Sequence, residues 1–161
     1  AERENAEGLA ALIVELLGEA VVATADDPRL ESWLAFMGGS AALSRTYPDR
    51  PIVNLDIGGG TTNPALGVNG NVKATGCHFV GARHFEFTPG SYRLKKVSRF
   101  GAAILQHLGY DPKIGSELPT REVQGIVGYF TDALVAIANG DRDFFANPVG
   151  RMIEQSPFEW S

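Results

Sequence analysis

The chain has 161 residues, 44% hydrophobic and 20% charged, which is enough for one ordinary domain with its own core. Its 14 basic and 19 acidic residues leave a net charge of −5, so composition argues against a nucleic-acid binder or a protein held on anionic membranes. The single cysteine, Cys77, excludes an internal disulfide framework and suits a reducing cytosol, and no apolar run approaches the ~18 residues of a membrane span. The opening AERENAEG is polar and acidic, so no signal peptide is expected and the expected location is cytoplasmic.

Leu9, Leu12, Ile13, Leu16 and Leu17 recur at helical spacing, with Gly18 as the stop, and this stripe is expected to face the core. AVVATA (20–25) reads as a short buried strand. Asp27-Pro28 has the pattern of an N-cap followed by a first-turn proline. It opens a helix carrying Leu30, Trp33, Leu34 and Met37, broken at Gly38-Gly39. The grouped acids Asp26, Asp27 and Glu31 suit capping and dipole compensation better than catalysis. SAALSR (40–45) continues as a short helix. PIVNLDI (51–57) is a strand. Asn63–Val68 and Asn71–Cys77 are two more, joined by Asn69-Gly70, the strongest two-residue hairpin signal. Residues 83–88 and 91–97 read as extended around Pro89-Gly90. Ser98 is placed to cap a helix with Phe100, Ile104, Leu105 and Leu108, ended by Gly109. A long helix over about 121–138 carries Val123, Ile126, Val127, Phe130, Leu134 and Ile137. Residues 141–161 read as an irregular tail whose Phe144, Phe145, Phe158 and Trp160 need something to pack on.

The most informative stretch is NLDIGGGTTNPAL (54–66). Its glycines lie between two strands too close in sequence for an intervening helix. There is no lysine for a Walker loop, and no helix follows as a dinucleotide fingerprint needs. What remains is a glycine turn whose unhindered N–H groups can face a phosphate chain, with hydroxyls from Thr61 and Thr62. Asp56, at the strand end, is placed to hold Mg²⁺ through water or to orient an attacking water. The competing reading is a purely structural hairpin with a glycine bulge.

PIVNLDIGGGTTN resembles the second phosphate loop of the actin-like ATPase superfamily, in which a short helix of small residues precedes the loop and connects two lobes. GGSAALSR (38–45) stands at that place. The order of VVATADDPRLESWLAFMGGSAALSR, the loop, VNGNVKATGCHFVGAR and VSRFGAAILQHLG is similar to the EutA family, the reactivating factors of ethanolamine ammonia-lyase. The resemblance covers roughly residues 20–140. It implies a ribonuclease-H-like, actin-like ATPase lobe over 1–140 followed by the 141–161 tail. The sheet would be mixed, starting from antiparallel strands 51–57, 63–68 and 72–77, with flanking helices. It further implies that ATP or ADP with Mg²⁺ is the cofactor. Asp56 would be the magnesium and water-positioning group, and Gly58, Gly59, Gly60, Thr61, Thr62 and Asn63 the phosphate contacts. Gly39, Ser40, Ala41 and Ala42 would belong to the interlobe connection. The implied partner is ethanolamine ammonia-lyase, an adenosylcobalamin enzyme from which damaged cobalamin is released, in a bacterial cytoplasm or a microcompartment. Homo-oligomerisation is left open.

The chain departs from that family in three respects. Pro64 replaces the usual aliphatic residue and predicts an edge or a bulge there. His78 and His84 stand where apolar or small residues are usual. No D-x-G-T first phosphate loop and no glycine-rich adenosine loop are found, so the chain is expected to supply about one lobe. Two further readings therefore stand beside the ATPase: a non-catalytic lobe that docks a partner, and another phosphotransferase of this fold. Cys77, His78 and His84 are close in sequence, but alternation sends Cys77 and His78 to opposite faces, which disfavours a shared metal. The basic run Arg93, Lys95, Lys96 and Arg99 is expected to be a solvated face.

Overall fold

In the computed structural model, residues 27–160 are described, together with Gly8, Ala11, Leu12, Glu15 and Leu16, which are helical. Leu12 and Leu16 are exposed, against the expectation that their stripe faces the core. The rest of that stripe and the strand expected at 20–25 lie outside the described residues.

Helix α1 (Pro28–Gly39) starts where proline preorganises the first turn, and the Asp27 carboxylate accepts from the Arg29 N–H. It ends at Gly39, so the glycine pair closes it as expected. Its expected apolar face is largely exposed at Leu30, Trp33 and Leu34, and it buries Ser32 and Phe36 instead. The reason is tertiary: Gly67 leaves a hole in the sheet that the Phe36 ring fills, so a Cβ there would meet the ring at 2.1 Å. Helix α2 (Ala41–Thr46) follows at once.

Strands β1 (Ile52–Ile57), β2 (Thr62–Val68) and β3 (Asn71–Thr75) form an antiparallel meander. The β2–β3 turn places Asn69 at φ +50° and Gly70 at φ +76°, the left-handed pair that a type I′ hairpin requires. The third expected strand is interrupted at Gly76, and β4 (Cys77–His78) resumes the pairing with β2. Pro64 explains the interruption. It sits in the central strand, where an edge or a bulge was expected; the register shift of β2 against β3 falls at Leu66-Gly67 instead. The Pro64 carbonyl accepts from the Gly76 N–H on the side where its own N–H is missing, so the absent donor falls against the break between β3 and β4.

The chain then forms a separate hairpin of β5 (Phe85–Phe87) and β6 (Leu94–Val97). Ser98 caps α3 (Arg99–His107) as expected, accepting from the Gly101 N–H. Helix α4 (Thr120–Asn139) ends on Gly140 at φ +66°, a left-handed C-cap. Its inward residues are Ile126, Tyr129, Ala133, Ala136 and Ile137, whereas Val127 is exposed. Residues beyond 140, expected to be irregular, form a 3₁₀ turn (Asp143–Phe145), α5 (Pro148–Ile153) and β7 (Glu154–Ser156), which pairs with β4. Phe145, Ile153 and Phe158 enter the main core with Leu66, Val80, Ile104 and Ile137.

The result is an α/β architecture with helices on both faces of a five-stranded sheet ordered β1-β2-β4-β7, with β3 also on β2. Phe36, Ala41 and Ala65 pack on one face and the larger cluster on the other. Every pairing among the described residues is antiparallel, so the mixed sheet expected from the sequence is not seen in them. The β1–β2 and β2–β3 connections are tight turns, which join antiparallel neighbours, and β7 returns antiparallel to β4 after the intervening helices.

Candidate glycine-turn site

The turn from Gly58 to Thr61 closes on itself, with the Gly58 N–H donating to the Thr61 carbonyl at 2.8 Å. Its carbonyls are held from one side by a single neighbouring segment. Ala82 N–H donates to Gly58 at 3.2 Å, Arg83 N–H to Gly59 at 2.6 Å, and His84 Nε2 to Gly60 at 2.9 Å. The N–H groups of Gly59, Gly60 and Thr61 donate to nothing among the described residues. The carbonyls are thus satisfied by protein while several donors stay available, the polarity an anion needs.

The three glycines of the turn do not have positive φ. Close approach accounts for Gly59 and for the facing Gly81, whereas a Cβ on Gly60 would meet nothing within 4 Å. A Cβ on Gly59 would lie 2.9 Å from Cδ and Nε of Arg83, and one on Gly81 would lie 2.7 Å from the Gly59 and Gly60 backbone. The two segments are layered backbone on backbone, which only glycine allows.

His84 is buried and bridges this layer to α3. A carbonyl only accepts, so Nε2 carries the proton; Nδ1 then accepts from the Ser98 hydroxyl at 2.8 Å. Burial lowers its pKa, favouring the neutral ring this arrangement uses.

The expected site residues fall into two groups. Register pairs Asp56 with Asn63 and Asn54 with Ala65, so Asn54, Asp56 and Asn63 share one face. On that face the Ser40 hydroxyl donates to Asn54 Oδ1 at 2.8 Å, and Asn63 Nδ2 lies 3.4 Å from Thr61 Oγ1. Asn63 is 1% exposed and its Oδ1 has no partner among the described residues. Asp56 is half-buried directly across the pair. Thr62 points the other way. It is fully buried and donates to the Val80 carbonyl at 2.7 Å, so its hydroxyl holds β2 to the following segment, where the sequence had suggested a phosphate contact.

Residues the sequence reasoning did not place here are Gly81, Arg83 and His84. Only the small pair Gly81-Ala82, directly after the apolar Phe79-Val80, hinted at a close approach. Cys77 and His78 are both buried and part as alternation predicts. Cys77 Sγ donates to Gln155 Oε1, while the His78 ring lies 4.9 Å from Phe145. Burial pushes the Cys77 thiol up to about 11, with Glu31 adding to the shift, and His78 down to about 4. No cluster of three or more His, Cys, Asp or Glu suited to a metal occurs among the described residues. The basic run is solvated as expected, with Lys95 paired to Glu86 and Arg93 to Glu117. No helix among the described residues is long and apolar enough to cross a membrane.

Comparison with known proteins adds a family. The family model described as Ethanolamine utilisation protein EutA matches residues 1–153. The ethanolamine ammonia-lyase reactivase EutA of Salmonella typhimurium (strain LT2) is 32% identical over 141 residues, covering 87% of this chain and 30% of that protein. The reactivase of the same name from Escherichia coli (strain K12) is 41% identical over 87 residues, covering 53% of this chain and 18% of that protein. The chain therefore spans less than a third of the length of these relatives. No solved structure matches.

Proposed function

This chain belongs to the EutA family of ethanolamine utilisation proteins, and from that premise we propose that it is the glycine-turn lobe of an ATP-dependent reactivating factor for ethanolamine ammonia-lyase. Both relatives carry the reactivase name. In this reading the fold is a ribonuclease-H-like, actin-like ATPase lobe, ATP hydrolysis drives release of damaged cobalamin, and the protein works in the bacterial cytoplasm. The small-residue helix α2, followed by β1, a glycine turn and β2, supports the fold assignment. The lobe includes residues beyond 140, since β7 and Phe158 complete its sheet and core.

The observation that carries the reading is the polarity of the turn: carbonyls held by residues 82–84, N–H groups of Gly59, Gly60 and Thr61 available. Such fixed donors stabilise the charge on a phosphoryl group without reorganising. The buried, unpartnered Asn63 Oδ1 opposite Asp56 fits a hydrated Mg²⁺, because a hard cation and its waters prefer oxygen ligands. Mg-ATP, when bound, supplies the phosphoanhydride whose cleavage drives the work. Asp56 accepts a hydrogen bond from a water and orients it, and Asn63 accepts from a second. Thr61 adds a hydroxyl donor at the rim. Thr62 acts only through β2.

The test is calorimetric titration of Mg-ATP and Mg-ADP. Affinity on the order of micromolar, abolished by Asp56→Ala with the fold intact, is the expected result. The exposed Leu30, Trp33 and Leu34 of α1 favour a second reading, a lobe that docks its partner without hydrolysing ATP. Full reactivation of the partner enzyme by the Asp56→Ala protein decides for that one.

A further inference from the structure

Beside the turn lies a hollow of about 360 Å³; Gly59, Gly60, Thr61, Arg83, Ser98 and Phe100 are among its walls. Its floor is aromatic: Phe79 stacks on Phe100 at 4.1 Å, and the buried His84 edge closes it. Arg83 is the cation on its rim. Its backbone N–H is bonded to the Gly59 carbonyl at 2.6 Å, so the origin of the side chain is fixed to the turn. Its Cδ and Nε cross the position a Gly59 Cβ would occupy. The side chain is exposed, and no carboxylate among the described residues pairs with it; the nearby Glu86 is taken by Lys95 at 2.8 Å. The same side chain also borders an adjoining hollow with Lys96 and Ser98.

We infer that Arg83 is a phosphate-binding residue of this site, supplying the positive charge that the turn's neutral N–H groups lack. The inference rests on the phosphate reading of the turn. A guanidinium presents paired N–H donors that match two oxygens of one phosphate, and it holds that geometry better than an ammonium. It also explains why position 59 has no side chain: a Cβ there would push Arg83 off the face of the turn.

The experiment is calorimetric titration of Mg-ATP and of inorganic pyrophosphate into the wild-type chain, Arg83→Ala, Arg83→Lys, Asp56→Ala and the surface control Lys113→Ala, each checked for an unchanged melting curve. Arg83→Ala is expected to weaken both ligands roughly tenfold or more. Arg83→Lys recovers part of that loss, and Lys113→Ala binds as wild type. Wild-type affinity in Arg83→Ala, with Asp56→Ala still inactive, overturns the role of Arg83 and leaves the turn's assignment standing. An equal loss in Lys113→Ala reduces the effect to general charge and also overturns it. No binding of either ligand by the wild-type chain removes both readings together.

Discussion

Gly60 and Gly81 separate two reasons for a glycine at one site. A Cβ on Gly60 meets nothing within 4 Å, while one on Gly81 lies 2.7 Å from the backbone of Gly59 and Gly60. Gly60→Ala is therefore expected to change stability by less than about 0.5 kcal/mol. Gly81→Ala forces two backbones apart, costs about 1–3 kcal/mol in urea unfolding, and weakens any ligand of the turn. His78 carries a different prediction. Its folded pKa of about 4 lies below its ordinary value of 6.5 because it is buried. Glu154 stands 3.9 Å away, also facing Arg142, and Nδ1 has no partner among the described residues. The unfolded chain binds the proton more readily, so the neutral ring's contribution is complete above pH 6.5. It is lost as pH falls from 6.5 toward about 4, by about 3 kcal/mol from this group. Urea midpoints measured across that window should fall steadily, and His78→Leu should flatten this part of the decline.

At the scale of elements, the capped and punctuated segments were legible in advance. Asp27-Pro28, Asn69-Gly70 and Ser98 each set a terminus or a turn by local chemistry. The face of α1 was not legible, because the partner decides which side is inward; that of α4 was read at Val123, Ile126, Phe130, Leu134 and Ile137, which pack inward, but not at Val127, which is exposed. Phe36 turns in toward the space left by Gly67, and Ala133 and Ala136 allow α4 to approach closely. The last elements matter most for stability. Phe158 is 3% exposed in the main core, and its Cβ would meet a Cβ on Gly76 at 2.7 Å. Phe158→Ala is expected to cost about 3–5 kcal/mol, read from chemical unfolding.

For the whole molecule, these contacts make the C-terminal segment part of the fold. A chain truncated after Gly140 loses β7 together with Phe145, Ile153 and Phe158 from the core. It is expected to show neither a cooperative melt nor dispersed amide resonances. Retention of both would mean that residues 1–140 fold alone. The glycine turn would share the loss, since residues 79–84, which hold it, are anchored through Phe79 N–H to the Ile153 carbonyl.

The sequence by itself determined the β-turn-β unit, its hairpin, most helix ends and the family, because turn chemistry, capping and segment order are local and written in consecutive residues. Asp56 facing Asn63 also follows from strand alternation once the turn is placed. Only the tertiary structure decided that Thr62 turns inward to Val80, and that residues 81–84 hold the carbonyls of the turn. It also brought Arg83 to the turn's rim and carried the chain's last residues back to complete the sheet. Those outcomes depend on contacts between segments 18 to 80 or so residues apart, where burial and backbone approach, not local preference, select the conformation.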